Sequence, residues 1–252
     1  MTLAIGLVAL VYATVGHAGA TGYIAVMTLF GLSAESIRPV ALILNVVVGV
    51  ITAVQFSRAG YLRTQLILPL ICGSIPAALV GGWLTPPVPV MEMVVGCVLI
   101  LSAVRIGYNK DLQGNTMNRQ SRSVRVTLVM AGVFLGLLSG LTGVGGGVFL
   151  TPALLAMRVA PVKQVAATSA VFIVVNSIAG LVGWMSAGNT LPGIAPGLLV
   201  AVGVGGFVGS RLGAFHLTPQ LLRGCIACVL VLAGVKLVLH AMWGSGALPV
   251  YV

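Results

Sequence analysis

The sequence of 252 residues has very few acidic side chains, since Asp and Glu together number 3 and all charged residues make up 6% of the chain. So few carboxylates argue against paired-carboxylate catalysis and against ion coupling through Asp. Three scattered histidines do not form a metal-binding pattern, and no glycine-rich stretch is followed by the Lys and Ser or Thr of a nucleotide-binding loop. We therefore expect no enzyme, no metal and no cofactor.

Cysteine is also scarce, and its distribution excludes a disulfide framework. The 4 cysteines all lie inside apolar runs, so we interpret them as small residues that pack between helices: Cys72, Cys97, Cys225 and Cys228. The formal net charge is +10, but the Lys and Arg residues stand singly or in pairs at the ends of apolar runs. That distribution indicates membrane topology and no nucleic-acid partner.

Hydrophobic residues are abundant: they make up 59% of the chain, and the mean hydropathy is +1.15. A membrane-spanning helix needs about 20 mainly apolar residues, and the sequence is a nearly continuous series of such runs. The lipid bilayer is thus the expected solvent, and the spanning elements must be helices because their backbone hydrogen bonds close within each segment. We interpret the first apolar run as a membrane helix and not as a signal peptide, because no basic region precedes it.

The apolar runs divide into two similar sets. Residues 1–106 and 126–252 each contain five runs of matching order, and the basic stretch 107–125 links them. A shift of 124 residues places Gly16, Gly19 and Gly22 on Gly140, Gly143 and Gly146, and a shift of 128 aligns later positions. The expected fold is all-α and polytopic, with two repeats that each contain a glycine-broken hairpin of short helices followed by three transmembrane helices.

The basic residues favour an inverted relation between the two repeats. If each glycine-broken element returns to its own side, 11 Lys and Arg residues face the cytoplasm and 2 face outside. If that element crosses once, the repeats are parallel and the division is 8 against 5. The positive-inside rule favours the first division. We therefore predict an inverted repeat in a bacterial inner membrane, with both termini outside.

The glycine-rich stretches 16–22 and 140–147 interrupt apolar runs that are too short to be comfortable single spans. Glycine costs about 1 kcal/mol relative to alanine in a helix, so such clusters predict unwound turns or very close helix packing. Broken helices at membrane depth line cavities, and their free N–H groups favour anions. The candidate binding residues are Gly16, His17, Gly19, Thr21, Gly22, Arg38, Asn45, Thr142, Gly143, Gly145, Gly146, Gly147, Thr151, Thr168, Ser169 and Asn176.

Several of these polar residues have two possible uses. His17 could relay protons or contact an anion, or it could be a neutral histidine bonded to a carbonyl. Asn45 and Asn176 could bind substrate, or they could join helices as buried amides commonly do. Arg38 could attract anions at the outer mouth, or it could pair with Glu35.

The stretch Gly140-Leu141-Thr142-Gly143-Val144-Gly145-Gly146-Gly147-Val148-Phe149-Leu150-Thr151-Pro152, with Val165-Ala166-Ala167-Thr168-Ser169-Ala170, resembles the hallmark of the TauE/SafE family of sulfite and organosulfonate permeases. The resemblance spans nearly the whole chain. It implies a permease or exporter of sulfite, a sulfonate or a related small oxyanion. The first half departs from the hallmark, because its Gly16–Gly22 stretch lacks the run of three glycines.

Three functions remain open from the sequence. We expect a secondary transporter that holds a small anion at the midplane between the two breaks while the repeats rock around it. An anion channel is the first alternative, and a membrane assembly factor or enzyme subunit without transport activity is the second. A homodimer is also possible, and the sequence leaves the coupling ion and the direction of transport open.

Overall fold

The computed structural model describes residues 1–84, 100 and 122–243, and this part of the chain is helical without strands. The expected all-α membrane class is therefore confirmed. The apolar run at 90–106 and the linker up to residue 121 lie outside the described residues. The helices are α1 (Thr2–Thr14), α2 (Ala20–Leu29), α3 (Ala34–Arg58), α4 (Thr64–Trp83), α5 (Arg122–Thr142), α6 (Gly147–Ala156), α7 (Val162–Ser186), α8 (Pro196–Arg211) and α9 (Pro219–Trp243), with a π-helical turn at Leu212–His216 after α8.

The helices fall into two length classes. Among the described residues, α3, α4, α5, α7 and the combination of α8 with its π-helical turn are long and apolar enough to cross a membrane. In contrast, α1 has 13 residues, and α2 and α6 have 10 each. At 1.5 Å per residue these short helices measure roughly 15–20 Å, whereas the hydrocarbon core is about 30 Å thick. The two glycine-rich stretches predict short helices of this kind on both sides of each break. That prediction is wrong for α5, which precedes the second break and has 21 residues, enough to cross the membrane.

The long helices α3 and α7 lie at the centre and run antiparallel. Leu42 on α3 lies against Gly180 on α7, and Gly49 lies against Val174. One end of this pair, which we call the Lys163 end, contains Lys163, Tyr61 and Ala214; the Lys163 ammonium lies 5.1 Å from the Tyr61 ring centroid and donates to the Ala214 carbonyl at 3.2 Å.

The opposite end, which we call the Arg38 end, contains Arg38, Leu84 and Trp184. The Arg38 guanidinium lies 5.1 Å from the Trp184 ring centroid and donates to the Leu84 carbonyl at 3.4 Å. Arg38 lies near the start of α3, Leu84 follows α4, and Trp184 lies near the end of α7. These contacts establish which helix ends meet at each end of the bundle.

Two outer helix pairs pack through glycines in the same way. In each pair, three glycines spaced one turn apart face backbone carbonyls of the neighbouring helix so closely that an added methyl group would overlap the carbonyl oxygen. On α8 and its turn, Gly205, Gly209 and Gly213 face the carbonyls of Gly6, Leu10 and Thr14 on α1, and on α5, Gly132, Gly136 and Gly140 face those of Leu70, Ser74 and Ala78 on α4. In both pairs the residue numbers of the two helices increase together along the contact, so α1 is parallel to α8 and α5 is parallel to α4.

These directions define two hairpins that enter the bundle from opposite ends. Because α8 begins at the Arg38 end, α1 begins there as well, and α3 also begins there after α2. The pair α5 and α6 instead begins at the Lys163 end, where α7 also begins. Each of the two pairs, α1 with α2 and α5 with α6, thus starts and finishes at its own end of the bundle. An inverted repeat requires this arrangement, and the repeat itself stays a prediction from the sequence.

The helix bounds give a simpler repeat register than the glycine alignment. The ends of α1 and α5 are 128 positions apart, α2 and α6 are 127 apart, and both ends of α3 and α7 are 128 apart. The shift of 124 for the glycines is therefore wrong, and a single shift of about 128 relates the two halves. In addition, α5 begins at Arg122, so residues 122–125 of the predicted linker belong to a helix.

We predict that Gly209→Ala destabilises the protein, because its methyl group would overlap the Leu10 carbonyl oxygen, and overpacking of this kind costs about 1–3 kcal/mol. Gly203→Ala on the same helix is the matched control, since open space surrounds that position. Thermal unfolding in detergent should show a lower melting temperature for Gly209→Ala alone. Equal melting temperatures for the two variants would contradict the close packing of α1 on α8.

Candidate functional site at the two helix breaks

The two breaks are short and glycine-rich, and their backbone is buried. The first comprises residues 15–19 between α1 and α2, and the second comprises residues 143–146 between α5 and α6. Gly19 and Gly146 precede the following helices with φ values of 104° and 74°, in the left-handed region that favours glycine. Among the predicted site residues, Thr21 and Gly22 lie in the first turn of α2, Thr142 ends α5 and Gly147 begins α6.

The second break lies between the middle parts of α3 and α7. A methyl group built on Gly145 would lie 2.7 Å from Asn45 Nδ2 and 3.0 Å from Ser177 Oγ. A methyl group on Gly146 would lie 3.0 Å from the Ser139 Cβ atom. Side chains from α3, α5 and α7 therefore converge on these two glycines.

The first break packs on the start of α7, where a side chain on Gly16 would overlap Ala166. Its His17 is 1% exposed, and Nδ1 lies 3.1 Å from the Val15 carbonyl oxygen. The imidazole ring also lies near the backbone of Gly147, the first residue of α6, but its Nε2 atom has no hydrogen-bond partner among the described residues. His17 thus lies in a buried break, as the sequence predicts.

The predicted hydroxyl groups near the breaks have partners within the protein. Thr151 Oγ1 and Ser169 Oγ are 2.8 Å apart, and Thr21 Oγ1 lies 2.9 Å from the Tyr12 hydroxyl. The other two donate to carbonyls one turn earlier in their own helices: Thr142 to Leu138 at 2.7 Å and Thr168 to Gln164 at 2.8 Å. These five hydroxyls bind chiefly to the protein in this conformation.

The buried amides each keep a free oxygen. Asn45 Nδ2 donates to the Val144 carbonyl at 3.3 Å, and Asn176 Nδ2 donates to the Phe172 carbonyl at 2.8 Å. The described residues provide no hydrogen-bond partner for Asn45 Oδ1 or Asn176 Oδ1, although both residues are 0% exposed. Asn45 therefore joins α3 to the second break, while Asn176 is bonded to its own helix.

Two further hydroxyls, which the sequence did not indicate, are buried beside the second break and are free to bind a ligand. Ser139 and Ser177 are each 0% exposed, and neither hydroxyl has a partner among the described residues. Ser177 follows Asn176 directly, and Ser139 lies one turn before Gly143, whose N–H binds the Ser139 carbonyl at 3.0 Å. Helical spacing from the glycine cluster was the signal that could have identified Ser139.

Arg38 binds helix ends. Its guanidinium has no carboxylate partner within the described part of the chain, and the side chain of Glu35 lies outside that part. The carbonyl acceptors are those of Gly81, Gly82, Leu84 and Gly140. These carbonyls end α4 and α5, where the partial negative charge of a helix favours a cation. The aliphatic part of the side chain lies against Gly143, while the guanidinium is bound by the carbonyls at the ends of α4 and α5.

The electrostatics of the second break favour an anion. The first N–H groups of a helix have no acceptor within that helix, and the start of α6 carries about half a positive charge. The described backbone offers no acceptor to the N–H groups of Gly147 and Val148. Both residues are buried, and the aliphatic part of Arg38 lies against Gly143 in the same break. This arrangement can bind a small anion through N–H and hydroxyl donors.

The chain is similar to known membrane transporter proteins. Residues 1–237 match the family described as "Sulfite exporter TauE/SafE". The chain is 35% identical over 238 residues to "Probable membrane transporter protein y4hK" of Sinorhizobium fredii, which covers 94% of this chain and 96% of that protein. The chain is also 44% identical over 59 residues to "Probable membrane transporter protein MJ0441" of Methanocaldococcus jannaschii. That match covers 23% of this chain and 22% of that protein. No solved structure matches the chain.

Gly145→Ala should abolish anion binding, because its methyl group would fill the space beside Asn45 and Ser177. Gly60→Ala is the matched control, since both glycines have φ of 78° and open space surrounds Gly60. The backbone strain of alanine at positive φ, about 1–2 kcal/mol, is then common to both variants. Anion-induced thermal stabilisation should survive in Gly60→Ala alone. Normal stabilisation of a folded Gly145→Ala protein would show that the break is only a packing element.

Proposed function

Because the chain belongs to the TauE/SafE sulfite exporter family, we propose that it is a secondary transporter of a small oxyanion, either sulfite or an organosulfonate. The family and its relatives are membrane transporters, and the chain is accordingly a multi-pass membrane protein without enzymatic activity. The proposal adds the substrate class, the site and the mechanism.

The observation that carries the proposal is the buried start of α6. Residues 143–152 are all buried, so the partial positive charge of this helix start is directed into the protein rather than into water. The aliphatic part of Arg38 lies against Gly143, and its guanidinium, which donates to the Gly140 carbonyl, brings a full positive charge to the end of α5. An anion gains from both features, because charge interactions are stronger where water is excluded.

The arrangement of the hairpins supports alternating access. The break between α1 and α2 belongs to a hairpin from the Arg38 end, and the break between α5 and α6 belongs to one from the Lys163 end. The residues of both breaks are almost fully buried, so a substrate reaches them only when surrounding helices move. In transporters with inverted repeats, rocking of one repeat against the other opens each side in turn around a fixed midplane site.

The distribution of basic residues supports one orientation of the molecule in the membrane. We propose that the Lys163 end faces the cytoplasm of a bacterial inner membrane, which places the N-terminus outside. The basic residues at or near that end are Arg58, Arg63, Arg122, Arg125, Arg158, Lys163, Arg211 and Arg223. Within the described helices, Arg38 lies at the opposite end, where helix C-terminal carbonyls bind it.

Flux measurements separate this proposal from the alternatives. Purified protein in liposomes should take up labelled sulfite or a sulfonate such as taurine with saturation, and preloading the vesicles with unlabelled anion should accelerate uptake by exchange. An anion channel would give flux without that acceleration. A complete absence of flux for a panel of small oxyanions, from protein that is folded by thermal unfolding, would overturn the proposal and favour an assembly role.

Orientation can be tested by cysteine labelling in a variant without native cysteines. Gln65→Cys, at the exposed start of α4, should react only when the cytoplasmic face is open to a membrane-impermeant maleimide. Gly193→Cys, in open space between α7 and α8, should react from outside in intact cells. Protection of Gly193→Cys in intact cells together with labelling of Gln65→Cys would reverse the orientation.

A further inference from the structure

Ser139 and Ser177 are two buried hydroxyls beside the second break that no comparison assigns. Both side chains are 0% exposed, and both hydroxyls lack a partner within the described ranges. A buried hydroxyl without a hydrogen bond costs about 1–3 kcal/mol, so such groups are normally satisfied or functional. Two of them next to the same helix start therefore need an explanation.

Both hydroxyls lie next to the glycines that precede α6. Ser177 Oγ is 3.0 Å, and Ser139 Oγ is 3.3 Å, from the positions that a methyl group would occupy on Gly145 and Gly146, respectively. These serines come from different helices, α7 and α5, and they approach the start of α6 with its free N–H groups. Ser139 and Ser177 thus flank, from two different helices, the two residues that precede α6.

We infer that Ser139 and Ser177, together with the start of α6, form the subsite that binds the charged head of an oxyanion with three oxygen atoms. Each serine hydroxyl donates to one oxygen, and the N–H groups of Gly147 and Val148 donate to the third. This inference rests on the proposed transport of a small oxyanion and specifies its chemical class. Pyramidal sulfite and the head of a sulfonate each present three oxygen atoms, one for each of the three groups of donors.

The same geometry disfavours other anions. A carboxylate presents two oxygens, which would leave one group of buried donors without an acceptor, and an unpaired buried donor costs about as much as the hydrogen bond gains. Chloride is spherical and gains less from donors held at separate positions. The expected order of affinity is therefore sulfite and methanesulfonate above acetate and chloride.

The test compares Ser139→Ala, Ser177→Ala and the double variant with the parent protein. Ser186→Ala is the control, because Ser186 is exposed on the same helix as Ser177 and its hydroxyl donates to Val182 of its own helix at 2.8 Å. Methanesulfonate, which is fully ionised near neutral pH, is the main probe, with acetate and chloride for comparison. Binding is measured by calorimetry in detergent, and melting temperature is measured with and without the anion.

We expect each single alanine variant to weaken methanesulfonate binding about tenfold and the double variant to weaken it by about a hundredfold or more. Affinity for acetate should change less, because one oxygen fewer contacts these donors. The melting temperature without anion should stay the same or rise, since alanine removes an unsatisfied polar group. Ser186→Ala should match the parent in every measurement.

The outcomes separate the subsite from the wider proposal. If the parent protein binds methanesulfonate and the double variant binds it equally well, Ser139 and Ser177 are not ligands, while the transport proposal still stands. If the double variant melts at a lower temperature and keeps its affinity, the hydroxyls are structural and the inference is wrong. Failure of the parent to bind any oxyanion would instead overturn the proposed function itself.

Discussion

The fold depends on one constraint: the hydrocarbon core of a membrane offers no water to backbone N–H and C=O groups. Most of the described chain meets this constraint with helices, whose backbone bonds are internal. The two breaks are irregular, so they need partners from the surrounding helices. Gly143 binds the Ser139 carbonyl at 3.0 Å, Asn45 reaches the Val144 carbonyl at 3.3 Å, and Arg38 binds carbonyls at the ends of α4 and α5. The antiparallel pair α3 and α7 makes this irregular backbone possible by enclosing it.

The sequence predicted the elements well because the same constraint acts on them. Spanning helices must be long and apolar, so hydropathy predicted membrane-spanning helices of the kind seen in α3, α4, α7 and α8. Glycine clusters located both breaks, because the breaks require left-handed φ values that other residues resist, as at Gly19 and Gly146. Local chain chemistry is enough for such features.

The sequence did not predict which side chains meet at the breaks. Arg38 finds acceptors 43, 44 and 102 positions away, and no local pattern encodes partners at such distances. Ser139 and Ser177 are small polar residues in apolar helices, where packing is their commonest use. Helical spacing from the glycine cluster singles out Ser139, but only the packing of α5 and α7 beside Gly145 and Gly146 brings both serines to the second break. The sequence also indicated the wrong register for the repeat, because glycines occur both in turns and at close helix contacts. Gly16, which lies in a turn with φ of 82°, was aligned with Gly140, which packs against the Ala78 carbonyl.

The full positive charge of Arg38 and the neutral hydrogen-bond donors of the second break lie at different places in the bundle. The full positive charge of Arg38 lies at one end of the bundle, where helix C-terminal carbonyls offset part of it. The centre, at the start of α6, offers neutral donors from backbone and serine. A buried ion pair at the centre would hold an anion tightly, because attraction is strong where water is excluded. Neutral donors contribute about 1 kcal/mol each, so several can select an oxyanion and still allow it to leave. A transporter needs this balance, since binding must be favourable enough for entry and weak enough for release.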